Sequence, residues 1–179
     1  MTICIICQGD EIEEVVQENL RYYYCKTCNR LYERAHTSRY GRDIAIKKQE
    51  GVWHTSVGAV IKNDERILLV KRRSYPFGYD FPAGHVEYGE EPIDAVQREV
   101  LEETGLRVTE TELLYQGEMV GNKCKYGADH HNWFFFECQY IEGRPFLNSE
   151  NETYGWFSKE EVKKLMLIPS AKILFNYIK

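Results

Sequence analysis

Residues 84–106 read GHVEYGEEPIDAVQREVLEETGL, and this stretch decides the fold. Pro92 suits the first turn of a helix, where its missing N–H costs nothing. Gly105 suits the position just past the end, where left-handed backbone is wanted. The spacing predicts a helix over 92–104. Ile93, Val96 and Val100 recur at i, i+3 and i+7, so they are expected to face the core. Glu99, Glu102 and Glu103 crowd a single turn. Each like-charge pair costs about 0.2–0.5 kcal/mol on an isolated helix, and the dipole disfavours acid at the C-terminal end. Local propensity gives no reason for the crowding. A solvated acidic face is the plain alternative. The sharper reading is a site for divalent cations, because clustered hard oxygen ligands select Mg²⁺ or Mn²⁺ over zinc. Arg98 stands four residues after Asp94, in the favourable acid-then-base order, and can also reach Glu102. Gly84 and Gly89 let backbone approach a metal or a phosphate. Glu90 sits just before the helix, where its charge suits the N-terminal dipole.

Outward from the helix, two β-branched runs, HTSVGAVIK and RILLVKRR, flank NDE and read as a hairpin. SYPFGYDFPAG reads as a loop. RVTETELLYQGEMV and NWFFFECQYI read as strands, and EGRPFLNSENETYG as a connecting loop. Ser158 and Glu161 have capping-box spacing and open a helix. A last helix is expected near Pro169. The fold class is α/β (α+β), an α/β/α sandwich with a mixed sheet.

The spacing of residues 84–106 resembles the Nudix box, G-x5-E-x7-R-E-U-x-E-E-x-G-U with U apolar. Gly84, Glu90, Arg98, Glu99, Val100, Glu102, Glu103, Gly105 and Leu106 fill every specified position. The resemblance covers residues 53–179. It implies hydrolysis of a nucleoside diphosphate linked to another moiety, with Mg²⁺ or Mn²⁺. By position it implies Glu99, Glu102 and Glu103 as metal ligands, with the Gly84 carbonyl. Arg98 and Glu90 resemble the residues that orient those carboxylates. The implied chemistry is in-line attack by a metal-activated water, with a carboxylate taking its proton. That base is Glu103, or a later-loop glutamate six residues before Trp156, which is Glu150; Glu152 competes, and both equally read as a polar loop tip.

Cys4-x2-Cys7 and Cys25-x2-Cys28 are separated by 17 residues. Doubled knuckles at this spacing are a zinc-ribbon signature, and four thiolates favour structural tetrahedral Zn²⁺. So short a segment needs a staple to fold. The domains are therefore a ribbon at 1–34, a linker at 35–52 and a Nudix hydrolase domain at 53–179. A ribbon ahead of the box resembles the layout of the NADH pyrophosphatases. Their Ser-Gln-Pro-Trp-Pro-Phe-Pro run is absent, and Val120, Gly121 and Asn122 stand where ADP-ribose hydrolases often carry proline. Cys124 and Cys138 read as ordinary strand or loop cysteines.

Of the aromatics before the box, Tyr79 and Phe81 are the candidates for stacking on a base. His130 and His131 read as a polar turn or as phosphate contacts. Lys71, Arg72 and Arg73 read as solvated, with contact to the substrate's distal phosphate as the alternative. His85 has no assigned role.

The 179 residues are 43% hydrophobic and 28% charged, enough for a packed core. The net charge of −5 argues against an obligate nucleic-acid binder, as do Asp10, Glu11, Glu13 and Glu14 between the knuckles. No 18-residue apolar run or signal peptide is present, so the expected location is cytoplasmic, without membrane contact. A nucleotide-type substrate is expected. The preferred class is a dinucleotide or nucleotide sugar, and the runner-up is a nucleoside triphosphate. The rival of another class is a nucleotide-sensing module whose ribbon contacts a partner, and ribbon-mediated homodimerisation fits the same contact role.

Overall fold

The computed structural model describes residues 2–4, 7, 9–17, 20–32, 37–39, 45–48, 51–87, 90–124, 126–146 and 148–179. Gly89 and the Cys4 side chain, both drawn on above, lie outside what is described. The elements are β1 (Thr2–Cys4), β2 (Ile12–Gln17), β3 (Leu20–Cys25), β4 (Arg30–Tyr32), β5 (Thr37–Arg39), β6 (Ala45–Lys48), β7 (Gly51–Asn63), β8 (Arg66–Arg72), β9 (Tyr79–Asp80), β10 (Ala83–His85), α1 (Pro92–Thr104), β11 (Arg107–Met119), β12 (His130–Glu142), β13 (Asn151–Ser158), α2 (Lys159–Val162) and α3 (Pro169–Phe175). The class is α+β. No helix among the described residues is long and apolar enough to cross a membrane.

The chain divides into two compact units. The first holds Met1–Thr55, Val86–Gly89 and Glu118–Asn132. In it β2, β3 and β4 form an antiparallel sheet, β1 pairs with β5, and β6 pairs with the start of β7. Two of these strands, β5 and β6, lie within residues 35–52, which read as a linker. Strands of three or four residues are too short to establish an alternation.

The second unit holds Ser56–His85, Glu90–Gly117 and Trp133–Lys179. Its sheet follows the order β11-β12-β7-β8-β13, with β10 on β7 and β9 on β8. The β7–β8 hairpin turns at Asp64, whose φ of 52° is left-handed backbone that aspartate tolerates. The β7–β8, β7–β10, β8–β9 and β8–β13 pairs are antiparallel, and a parallel bridge joins Tyr79 to Leu167. The loop expected over SYPFGYDFPAG thus contains two short strands, and β13 takes in residues expected to be loop. Fully buried Val60, Ile61, Leu68, Leu69, Phe135, Val100 and Leu106 form the core of this unit.

Helix α1 has the predicted bounds. Pro92 occupies its first turn, and Gly105 closes it at φ 70° by donating its N–H to the Leu101 carbonyl at 2.9 Å. The buried face is Ala95, Val96, Val100 and Thr104. Ile93 was expected on that face but is 40% exposed. At about 100° per residue, Glu99 and Glu103 fall between Ala95 and Val96 on the helical wheel. The inward arc is therefore centred on the carboxylates, and Ile93 falls at its edge in the first turn. Ser158 caps α2 through both bonds of the expected capping box, and α3 begins at Pro169.

Candidate functional site

Strand β10 brings the Gly84 backbone beside α1, in register with Val57 of β7. A Cβ built on Gly84 would overlap the Glu99 carboxylate, so only glycine leaves room for that carboxylate here. The next backbone N–H, that of Ala83, donates to Glu103 Oε2 at 3.0 Å. Burial pushes the Glu103 carboxyl well above the usual range; the Ala83 N–H opposes this, and Glu99, Asp80 and Glu150 add like charge. Burial likewise raises Glu99, against the pull of Arg98. Two adjacent acids are thus held where ionisation is costly.

Arg98 is the organiser. Its Nε and Nη2 donate to the two oxygens of Glu90 at 2.9 and 2.8 Å. Nη2 also donates to the His85 carbonyl at 2.9 Å, and Nη1 to Glu99 Oε1 at 2.8 Å. Glu102 Oε2 lies 3.7 Å from Nη1. Planar guanidinium suits such a fork. The Asp94 partner suggested by spacing is superseded: Arg98 turns to Glu90 and Glu99. His85 contributes its backbone.

The later loop arrives through β13, whose pairing with β8 has an irregularity between Asn151 and Thr153. Glu152 is the extra residue there, and it pairs with Lys71 at 3.0 Å. A bulge re-aims a side chain in this way. The charge of Glu150 instead bears on Glu103. Of the two, Glu150 belongs electrostatically with the box.

Phe81 does not await a base. It is 1% exposed and packs on Phe135 at 4.9 Å between ring centroids. The Ala59 N–H donates to the Pro82 carbonyl, tying this segment to β7 and turning Phe81 inward. Tyr79 is half-buried, edge-on to Phe157 at 5.4 Å. Arg72, read as solvated, donates to Asp80 at 3.3 Å, and Arg73 donates to the Asn151 carbonyl at 3.1 Å. Asp80 is 5% exposed, and burial raises its carboxyl to about 6 despite Arg72 and the Phe81 N–H. Sequence reading passed over it; an acid directly before an apolar Phe-Pro-Ala run was the available signal. His130 and His131 are buried in β12 and do not form a polar turn.

In the first unit the sulfurs of Cys7, Cys25 and Cys28 converge. Cys7–Cys28 is 3.1 Å, Cys25–Cys28 is 3.3 Å and Cys7–Cys25 is 3.6 Å. The Gly9 N–H donates to Cys7 Sγ at 3.4 Å. These are three of the four predicted sulfur ligands.

The family model described as NUDIX domain matches residues 52–177. An ADP-ribose pyrophosphatase of Methanocaldococcus jannaschii is 41% identical over 76 residues, covering 38% of this chain and 45% of that protein. The chain therefore spans less than half the length of that relative. An RNA pyrophosphohydrolase of Bartonella bacilliformis is 28% identical over 144 residues, 69% of this chain and 85% of that protein. A solved MutT NUDIX hydrolase from Burkholderia pseudomallei matches with a TM-score of 0.62 at 26% identity, over 71% of this chain and 98% of that one.

Proposed function

Because the chain belongs to the Nudix family, we propose that its carboxylate centre hydrolyses the phosphoanhydride of a nucleoside diphosphate linked to a further group, a dinucleotide or a nucleotide sugar. The observation that carries this reading is the convergence of Glu99, Glu103 and the charge of Glu150 beside the Gly84 backbone. Burial raises both Glu99 and Glu103, neighbouring carboxylates add to this, and a bound cation relieves both effects. The donor set fits Mg²⁺ or Mn²⁺: carboxylate oxygens, a backbone approach that a Cβ would fill, and no sulfur. Glu99, Glu102, Glu103 and the Gly84 carbonyl would hold it. Such a cation supplies charge neutralisation for the pyrophosphate and acidity for an attacking water.

The remaining roles fall to this chain's own groups. Arg98 and Glu90 are positioning residues: the bidentate pair fixes the guanidinium, which in turn fixes Glu99. Glu103 and Glu150 are the candidate bases. A base works best with a pKa near the operating pH, and burial moves Glu103 in that direction. The sulfur cluster, with Cys4, is read as a structural zinc centre. Its S–S separations of 3.1, 3.3 and 3.6 Å fall inside the roughly 3.7 Å expected of a tetrahedral site with 2.3 Å bonds, so a small outward shift of the sulfurs would admit the ion.

A second reading takes a triphosphate as substrate, on a nucleoside or at an RNA end. The likeness to the Bartonella RNA pyrophosphohydrolase favours it. One experiment decides between them. The protein is incubated with Mg²⁺ or Mn²⁺ and, separately, with NADH, ADP-ribose, nucleotide sugars, nucleoside triphosphates and triphosphorylated RNA, and the products are identified by mass. Two nucleoside monophosphates, or one with a sugar phosphate, support the first reading. Release of inorganic phosphate or pyrophosphate supports the second. No turnover of any substrate refutes both.

A further inference from the structure

Three metal-type donors used by neither centre above meet within the first unit. His54 on β7 is 1% exposed, and His131 on β12 is 3% exposed. Cys124 lies in the connection from β11 to β12. One ligand atom from each lies within 4.8 Å of the others. Cys124 Sγ is 3.7 Å from His54 Nδ1. The two imidazoles stand edge to face, 5.8 Å apart at 89°.

His131 Nδ1 lies 2.6 Å from the Asn122 carbonyl. A carbonyl only accepts, so Nδ1 carries the proton and Nε2 keeps its lone pair. A backbone carbonyl holding one imidazole nitrogen so that the other can bind is the usual outer support of a histidine metal ligand. Burial lowers both His54 and His131 to about 4, so both are neutral near pH 7. The cysteine is positioned by a closed turn: the Cys124 N–H donates to the Ala128 carbonyl, and the Gly127 N–H to the Cys124 carbonyl. That turn is moored to β7 by Asp129, which donates its N–H to the Val52 carbonyl and accepts the Val52 N–H at Oδ2.

We propose that His54, Cys124 and His131 form a metal centre of their own for Zn²⁺ or a cation of similar softness. Imidazole and thiolate select that class over Mg²⁺. With bonds of about 2.0–2.3 Å, a tetrahedral ion needs donors about 3.3–3.7 Å apart. The Cys124–His54 separation already meets this, and side-chain rotation closes the remainder. The centre ties the 120–129 connection to β7 and β12.

The test uses the full chain, stripped with chelator and titrated with Co²⁺, with zinc content measured on protein purified under reducing conditions. The wild type is expected to bind two equivalents of soft metal, one sulfur-rich and one with mixed nitrogen and sulfur. Cys124→Ser and His131→Gln should each lose one equivalent, with Co²⁺ binding at that site at least ~100-fold weaker. The signal from Cys7, Cys25 and Cys28 should be unchanged. Cys124→His, which keeps a ligand, should retain the metal and lose one thiolate-to-cobalt absorption band. It decides the matter if Cys124→Ser does not fold. Unchanged stoichiometry and spectra in these variants overturn the proposal. Failure of the four-cysteine zinc reading leaves the dependence on Cys124 in place, so the two are separable.

Discussion

Replacing Arg98 with lysine keeps the positive charge and removes the fork. Four donations then end: two to Glu90, one to Glu99 and one to the His85 carbonyl. An ammonium placed centrally can restore one or two. Hydrogen bonds to charged groups contribute about 1.5–3 kcal/mol each, so two losses give roughly 3–6 kcal/mol before solvent returns. Side-chain exposures of 23% for Arg98 and 16% for both Glu90 and Glu99 mean that water compensates in part. The net expectation is a loss of about 2–4 kcal/mol in metal-free protein. Urea unfolding monitored by circular dichroism reads it as a lower midpoint at unchanged slope. Saturating Mg²⁺ should widen the difference, since an ion that binds only the folded state stabilises it according to its affinity and the variant's Glu99 holds it less well. Turnover should fall ~10–1000-fold, because Glu99 loses its aim. An Arg98→Lys protein within about 0.5 kcal/mol of wild type in the absence of metal would refute the organising role given to the fork.

Three further outcomes follow from the same geometry. Glu103→Gln should lower kcat by ~1000-fold or more, while metal-free stability is unchanged or higher, because the amide still accepts the Ala83 N–H and a costly buried charge is gone; near-normal turnover would remove Glu103 from the mechanism. Glu150→Gln should reduce kcat more than it raises KM, and Glu152→Gln should be nearly silent, because Glu152 is committed to Lys71; steady-state kinetics across a Mn²⁺ titration check both, and the reverse ranking sinks the assignment. Asp80→Asn should flatten the pH dependence of stability. With its folded pKa raised from 3.8 to about 6, wild-type Asp80 contributes stability in full below 3.8 and loses it as pH rises through 6. That change is on the order of 3 kcal/mol, and identical slopes from pH 4 to 7 in the two proteins would contradict it.

What the sequence discloses is what short range encodes. Pro92 and Gly105 bound α1, the Ser158 box opens α2, and Asn63 to Arg66 turn the β7–β8 hairpin, each through residues a few positions apart. The box carboxylates are legible for the same reason. Their burial is not, because it depends on β10 crossing under α1. Phe81 misleads because a proline-rich, aromatic stretch looks like loop until its pairing to β8 and β7 is known. Glu152 and Glu150 differ only through the register shift at Asn151 and Thr153. His54 and Cys124 meet across 70 residues of chain, and neither sits in a ligand spacing of its own.

The pairing of Glu90 with Arg98 spans eight residues, and Gly84 to Glu103 runs along the chain from one strand to the helix that follows it. Closing so small a loop costs little entropy. Glu150, by contrast, is delivered only after β11 and β12 have both been laid down. The centre thus has two kinds of heredity. One part is carried by a single stretch of peptide. The other is carried by the fold, and each insertion or deletion between residues 107 and 149 puts it at risk. Diversification is free to act on the second part while the first stays fixed.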